Sequence, residues 1–126
     1  NSSSLLSFTY NDFDILKENL LKFNNTTSDS LTNDELFQTI NEVATLTLND
    51  NSAVILKSID VNATKEALRD HQNIVSTYRT NDIFEFNNST LFEDTFTPLV
   101  AIDNVTQYII IDDYFVFSSF NFLFSW

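Results

Sequence analysis

The apolar positions of residues 108–126, YIIIDDYFVFSSFNFLFSW, recur every second residue on both sides of Asp112-Asp113. This is the period of a β-strand. The aromatic positions change parity at Ser118-Ser119, and a β-bulge there, which inserts one extra residue, would return them to one face. A membrane-spanning helix needs about 20 mostly apolar residues, and each aspartate would cost it about 2.5–3.5 kcal/mol. We therefore predict a hairpin with Asp112-Asp113 at its tip and a kinked second strand, and no membrane span.

Three earlier segments are predicted to be amphipathic helices, and the spacing of apolar residues supports the first and third most directly. The first begins near Asn11, a residue that can cap a helix, and its apolar positions are Phe13, Leu16, Leu20 and Phe23. The third begins near Thr64, with Glu66 in a first turn where the helix dipole favours a carboxylate. Its apolar positions are Ala67, Leu68, Ile74, Val75 and Tyr78.

The second helix is predicted from the segment LTNDEL at residues 31–36. Thr32 and Glu35 match a capping box, and Leu31 and Leu36 match the hydrophobic staple that accompanies it. The residues that this helix is expected to bury are Leu36, Phe37, Ile40 and Val43.

From residue 44 the hydrophobic period changes to two, and strand patterns dominate after residue 79. We predict a short hairpin from residues 44–48 and 53–59, then strands at 83–86, 90–102, 105–111 and 114–125, with Pro98 marking an edge or a bulge. Helices early in a chain and strands late are typical of an α+β fold. The prediction is one domain, residues 1–126, with three N-terminal helices packed on a strongly curved antiparallel sheet and a loosely held lead segment at residues 1–10.

Composition excludes several classes of function. The net charge of −12 repels a phosphate backbone and no cluster of Lys or Arg offsets it, so we expect no nucleic-acid partner. The chain has no cysteine and one histidine, so we expect no disulfide, thiol nucleophile or zinc site. Glycine is absent, and turns that need a positive φ must therefore use Asn or Asp.

The cellular compartment stays open at this point. The chain has no initiator Met and no signal-peptide pattern, so we expect no targeting segment in it. Motifs for N-glycosylation occur at Asn1, Asn24, Asn25, Asn62, Asn87, Asn88 and Asn104. Secretion with glycosylation, and compositional bias in an intracellular protein, both fit this number of motifs.

Three segments resemble the nuclear transport factor 2-like (NTF2-like) superfamily, which includes the SnoaL-type polyketide cyclases and ketosteroid isomerase. LTNDELFQTINEVATLTLNDNS is similar to the family's second helix running into a short strand and turn. ATKEALRDHQNIV resembles its third helix, with Thr64 where a glycine is usual, and VTQYIIIDDYFVFSSFNFLF is similar to its closing hairpin. The resemblance implies a cone, in which a curved sheet wraps around helices and leaves a pocket open at one end.

Members of this superfamily include enzymes, small-molecule binders and dimerisation scaffolds, so the fold alone does not give the function. The ketosteroid isomerases carry a general-base Asp on the strand after the second helix. The residue at the corresponding position here is Leu48.

Three side chains are candidates for catalysis at such a pocket. Asp94 shares strand parity with Phe92 and Phe96, and a carboxylate on an apolar face has a raised pKa that suits a general base. The alternative is a bulge or strand end that turns Asp94 outward. His71 lies on the inner edge of the third predicted helix, either as a base or orienting group or as a half-buried residue without a catalytic role. Tyr78, at the end of the same helix, would direct its hydroxyl toward the cone.

The leading interpretation is a non-enzymatic NTF2-like domain that binds a small hydrophobic ligand or serves as a scaffold for a homodimer formed through the sheet. One alternative is a SnoaL-like isomerase, cyclase or dehydratase in which Asp94 is the base and His71 or Tyr78 polarises a carbonyl. Another is a secreted, glycosylated surface protein, which depends on the sequons alone. None of these interpretations requires a cofactor or a metal.

Overall fold

The computed structural model describes residues 3–23, 34–48, 51–69, 74–78, 81–87, 89–96, 99–100, 102 and 104–118. Within these ranges the elements are β1 (Ser3–Thr9), α1 (Phe13–Phe23), α2 (Asp34–Phe37), β2 (Ile40–Leu48), β3 (Asn51–Ser58), α3 (Val61–Leu68), β4 (Ile74–Tyr78), β5 (Asn81–Glu85), α4 (Leu91–Phe96), β6 (Gln107–Ile111) and β7 (Tyr114–Ser118). The predicted α+β class is confirmed. The predicted grouping of three helices at the N-terminus is not, because the four described helices are spread between the strands as far as residue 96.

The strands form one seven-stranded sheet in the order β1-β2-β3-β7-β6-β5-β4. Every neighbouring pair is antiparallel. The hairpin of β6 and β7 lies at the centre, and its last pair is Ile111 with Tyr114, so Asp112-Asp113 form the tip as predicted. Asp112 has a φ of 56°, in the left-handed region that a chain without glycine fills with Asp or Asn. The predicted bulge at Ser118-Ser119 extends beyond the described residues.

Strand β1 was not predicted, because two adjacent leucines in a serine-rich segment show neither the two-residue period of a strand nor the 3.6-residue period of a helix. It pairs with β2 along its full length, from Ser3 opposite Leu48 to Thr9 opposite Glu42. Leu5 and Leu6 are 65% and 68% exposed, whereas Phe8 packs against the core with its ring centre 5.4 Å from that of Phe96.

Helix α1 begins where the sequence predicted, although the capping residue is Asp12 and not Asn11. The backbone N–H of Asp14 donates to Oδ1 of Asp12 at 2.9 Å, which satisfies one of the free donors of the first turn. Phe13 is buried and Leu16 and Leu20 are partly buried against the core. The predicted apolar face of this helix is therefore confirmed except at its end, where Phe23 is 72% exposed.

The second and third helices are shorter than predicted. Helix α2 ends at Phe37, and Ile40 and Val43 are buried from strand β2 instead. The predicted capping box at Thr32 lies outside the described residues. Helix α3 begins after Asp60, whose side chain accepts a hydrogen bond from the backbone N–H of Ala63, and it ends at Leu68.

The rest of the predicted third helix, residues 74–78, is strand β4. Four of its five residues, IVSTY, are β-branched or aromatic, and such residues favour strands. Ile74 and Val75 fit a helical face equally well by spacing, which explains the wrong prediction.

The predicted strand at residues 90–102 is also wrong, because residues 91–96 form helix α4. Phe92 and Phe96 are four residues apart, and a spacing of four fits both the two-residue period of a strand and the 3.6-residue period of a helix. The buried residues of α4 are Leu91, Phe92, Thr95 and Phe96, which is the pattern of one helical face.

The main core lies on one face of the sheet, which we call the inner face. Residues from all four helices join inward side chains of the central strands there, including Leu56, Tyr108, Phe115 and Phe117. On the opposite, outer face, Ala53, Ile83, Ile109 and Val116 form a second cluster, flanked by the partly buried Leu46, Ile55 and Ile111. This alternation along each strand is what an antiparallel sheet produces.

Candidate functional site

Asp94 does not lie on the apolar face of a strand, as the sequence suggested. It is an exposed residue of helix α4, and Thr90 Oγ1 donates to its Oδ2 at 3.0 Å. A helix turns by about 200° over the two residues between Phe92 and Asp94, so the carboxylate and the ring point to nearly opposite sides. The prediction of an inward carboxylate at this position is wrong, and the outward alternative is correct, although a helix causes it and not a bulge.

The structure does not describe the side chains of the other two candidates. His71 lies outside the described residues. Tyr78 belongs to strand β4, not to a helix, and is paired with Asn81 at one edge of the sheet. Its side chain is outside the described part of the molecule.

The interior expected to form the pocket is filled with aromatic rings. The ring of Phe92 lies 4.8 Å from Phe117, 5.9 Å from Phe86 and 6.0 Å from Phe37, measured between ring centres. Tyr108 stacks on Phe117 at 4.8 Å. Helix α4 supplies Phe92 and Phe96 to this space, and Phe37, Phe86 and Phe117 come from other parts of the chain.

Of the adjacent residues Gln107 and Tyr108, which alternate across the sheet, Tyr108 points inward into the main core. Burial raises the pKa of the Tyr108 phenol above its ordinary value. Tyr10 is affected in the same way, and its hydroxyl donates to the backbone oxygen of Phe37 at 2.9 Å. Both phenols are therefore hydrogen-bond donors at neutral pH.

A buried network of hydroxyl groups links strand β3, helix α3 and the turn after α2. Thr64 Oγ1 lies 2.7 Å from both Thr39 Oγ1 and Ser58 Oγ, and Thr39 Oγ1 donates to the backbone oxygen of Leu36 at 2.6 Å. Ser58 Oγ also accepts from the backbone N–H of Asp60 at 3.1 Å. No acid or base takes part in these bonds, so the network positions α3 and is not a nucleophile in itself.

A cleft with a volume of about 330 Å³ opens beside the beginning of α1. Its lining includes the aromatic residues Tyr10, Phe13 and Phe37 and the acidic residues Asp12 and Asp14. It lies next to the C-terminal end of β1, because Tyr10 is the first residue after that strand.

One wall of this cleft is set by a β-bulge. The pairing of β2 with β3 shifts between Ile40 and Glu42, which leaves Asn41 as the extra residue, and a bulge redirects the side chain at such a position. The backbone oxygen of Asn41 accepts from the N–H of Tyr10 at 3.1 Å, and its Oδ1 is buried without a hydrogen-bond partner. Sequence reasoning missed this cleft, because only the capping residues at the start of α1 are visible in the sequence and the bulge is not.

Other kinds of site have little support in the described residues. They contain no group of three or more His, Cys, Asp or Glu side chains placed to hold a metal ion, and no helix in them is long and apolar enough to cross a membrane. Among the sequon residues, Asn62, Asn87 and Asn104 are exposed. The chain matches no known protein-family model, no curated protein and no solved structure.

Proposed function

We propose that the chain is a non-enzymatic NTF2-like domain that serves as a scaffold for a homodimer formed through the outer face of its sheet. The observation that carries the proposal is the set of apolar side chains that stay partly exposed on that face, Leu46, Ile55, Ile111 and Tyr114, around a centre that is already buried within one chain. The members of that centre, Ala53, Ile83, Ile109 and Val116, all belong to strands, whereas the apolar residues of the four helices pack on the inner face.

The placement of the three family-like segments supports the fold assignment within this proposal. The first contributes α2, β2 and the first two residues of β3, the second contributes most of α3 and the beginning of β4, and the third contributes β6 and β7. Strand β7 pairs directly with β3, so the closing hairpin and the strands that follow the second helix form the middle of one sheet. A strongly curved sheet around the inner helices completes the proposed cone.

The filled interior favours a scaffold over a pocket for a hydrophobic ligand. Phe37, Phe92 and Phe117 meet ring to ring at the centre of the inner face. An apolar ligand of ordinary size needs a cavity of a few hundred Å³, and these rings occupy the space where it would bind.

The outer face has the composition of an interface centre. Its partly buried flanking residues are Leu46, Ile55 and Ile111, and Tyr114 at its margin is 39% exposed. Interface centres are depleted in charge and enriched in apolar and aromatic residues. A specific dimer buries about 800 Å² on each partner, and the partly exposed apolar residues of β2, β3, β6 and β7 would lie at its centre.

Sedimentation velocity tests this proposal. The expected mass of the wild-type particle is twice the 14.5 kDa of one chain. Ile55→Lys places a charge in the middle of the outer face and should give a monomer that keeps its circular dichroism spectrum. Leu99→Lys is the matched control, since it adds the same charge at an exposed apolar residue that follows α4. A wild-type monomer, or a dimer that Ile55→Lys leaves intact, would refute the proposed interface.

A further inference from the structure

Strand β1 is an edge strand with a free side. It pairs with β2 through all seven of its residues and ends the sheet, so in the part of the chain that the structure describes no strand lies on its other side. An edge of this kind presents a row of backbone donors and acceptors. Proteins commonly protect such edges with lysine, proline or a bulge, and the segment SSLLSFT contains none of the three.

The side chains of β1 also suit a partner strand. Leu5 and Leu6 are 65% and 68% exposed, and because they are consecutive they lie on opposite faces of the sheet. A strand added at this edge would therefore have an apolar neighbour on each face. Cross-strand apolar pairs of this kind stabilise an antiparallel ladder.

The surroundings of this edge are acidic. Just beyond Thr9 the chain enters the cleft described above, where Asp12 and Asp14 are exposed. The net charge of the whole chain is −12, so its surface potential attracts cations.

We propose that the free edge of β1 binds an extended basic peptide segment by strand addition, with a Lys or Arg side chain of that segment reaching the exposed residues Asp12 and Asp14 beyond the end of the strand. Backbone hydrogen bonds to β1 provide the affinity, and the two carboxylates select the positive charge. This proposal does not depend on the proposed dimer, because β1 and the central strands of the outer face are different surfaces.

A second copy of this chain is a poorer occupant than a basic segment. Pairing β1 with β1 of another copy would bring together two molecules that each carry a charge of −12, and it would place Asp12 of one copy near the end of the other copy's strand. A basic segment gains from the same charges that repel a second copy.

Fluorescence anisotropy with a labelled nine-residue peptide of alternating lysine and valine is a direct test. We expect binding to the full chain that weakens as salt is added, because exposed charges are screened. The matched peptide has the same sequence with two consecutive central residues N-methylated, which keeps the charge but removes a donor from each edge of the strand. The N-methylated peptide should bind up to about ten-fold more weakly, since it loses one backbone hydrogen bond to β1 and each such bond contributes about 0.5–1.5 kcal/mol.

Variants of the protein test the role of the two carboxylates. Asp12→Asn with Asp14→Asn removes two charges, and asparagine is as good a helix cap as aspartate, so α1 should be kept. The affinity for the lysine–valine peptide should fall about 3- to 10-fold, in keeping with exposed ion pairs. The control is Glu85→Gln, which removes one exposed carboxylate on β5, near the opposite edge of the sheet, and it should leave the affinity unchanged.

Several results would overturn this proposal. Equal binding of the N-methylated peptide would show attraction by charge alone, without strand addition. Absence of binding at millimolar peptide, or an equal loss of affinity in the Glu85→Gln variant, would exclude the β1 edge and the two carboxylates beyond it. Self-association that Leu6→Lys abolishes and Ile55→Lys does not would show that a second copy occupies the edge, and the proposed outer-face dimer would be judged separately by Ile55→Lys.

Discussion

Replacement of Phe92 by alanine tests the core more directly than any other single change. Phe92 is fully buried and its ring contacts those of Phe37, Phe86 and Phe117, which come from three different parts of the chain. Removal of a buried phenylalanine ring costs about 3–5 kcal/mol of unfolding free energy. The upper half of that range is expected, because α4 has six residues and so short a helix depends on packing and not on its intrinsic stability.

Urea unfolding followed by circular dichroism at 222 nm gives the change in free energy. Small domains have a total stability of about 5–15 kcal/mol, so the Phe92→Ala variant should remain folded at low temperature with a much lower urea midpoint. Phe23→Ala is the matched control, since that ring is 72% exposed at the end of α1 and its loss should change stability by at most about 0.5 kcal/mol.

A double-mutant cycle isolates the contact of Phe92 with Phe117. Aromatic pairs contribute about 0.5–1.5 kcal/mol beyond the area that they bury, and the two rings lie edge to face with centres 4.8 Å apart. The coupling energy between Phe92→Ala and Phe117→Ala should therefore be in that range. If Phe92→Ala costs less than about 1 kcal/mol, then residue 92 is not in the core, and the filled interior on which the scaffold proposal depends is wrong.

Three further predictions concern the turn, the hydroxyl network and alkaline pH. Asp112→Gly should stabilise the protein by about 0.5–1 kcal/mol in urea unfolding, because Asp112 has a φ of 56° and glycine adopts this region without strain; Asp113→Gly, where φ is not positive, should give no gain. Thr64→Val should cost about 1–3 kcal/mol in urea unfolding, since it removes the hydroxyl that bonds both Thr39 Oγ1 and the buried Ser58 Oγ. Burial raises the pKa of Tyr108 in the folded state, so the stability it contributes is complete below the unfolded pKa of about 10 and is lost as pH rises above it. The unfolding free energy should thus fall above pH ~10, and less steeply in Tyr108→Phe; an identical fall in both proteins would contradict this assignment.

The parts of the fold that could be predicted from the sequence are those whose signal is local. The tip of the central hairpin follows from Asp112-Asp113 between two alternating segments, and α1 follows from a capping residue and one apolar face. The hairpin of β2 and β3 was predicted because alternation resumes after a polar turn. In each of these cases the apolar residues fit either the strand period or the helix period, but not both.

In the parts that could not be predicted, the spacing of apolar residues fits both the strand period and the helix period, or neither of them. Phe92 and Phe96 fit a strand and a helix equally, and Ile74 and Val75 do so as well. Tertiary packing decides these cases: the rings of Phe37 and Phe117 provide a site for Phe92, and the edge of β5 provides a partner for residues 74–78. Strand β1 has no periodic signal at all, and its partner β2 lies more than thirty residues away.

The misassignment of α4 also moved the expected chemistry to the wrong side of the molecule. The predicted strand at residues 90–102 placed the Asp94 carboxylate inside an apolar cone. In the structure Asp94 belongs to helix α4 and its carboxylate is exposed. The buried polar side chains of the described residues are the hydroxyl-bearing Ser58, Thr64, Thr95 and Ser118, and no charged side chain is buried with them. Burial of an unpaired carboxylate is costly, and the described acidic residues of this chain therefore act through its surface. Asp12 and Asp14 combine this charge with a neighbouring free strand edge, since they follow shortly after β1.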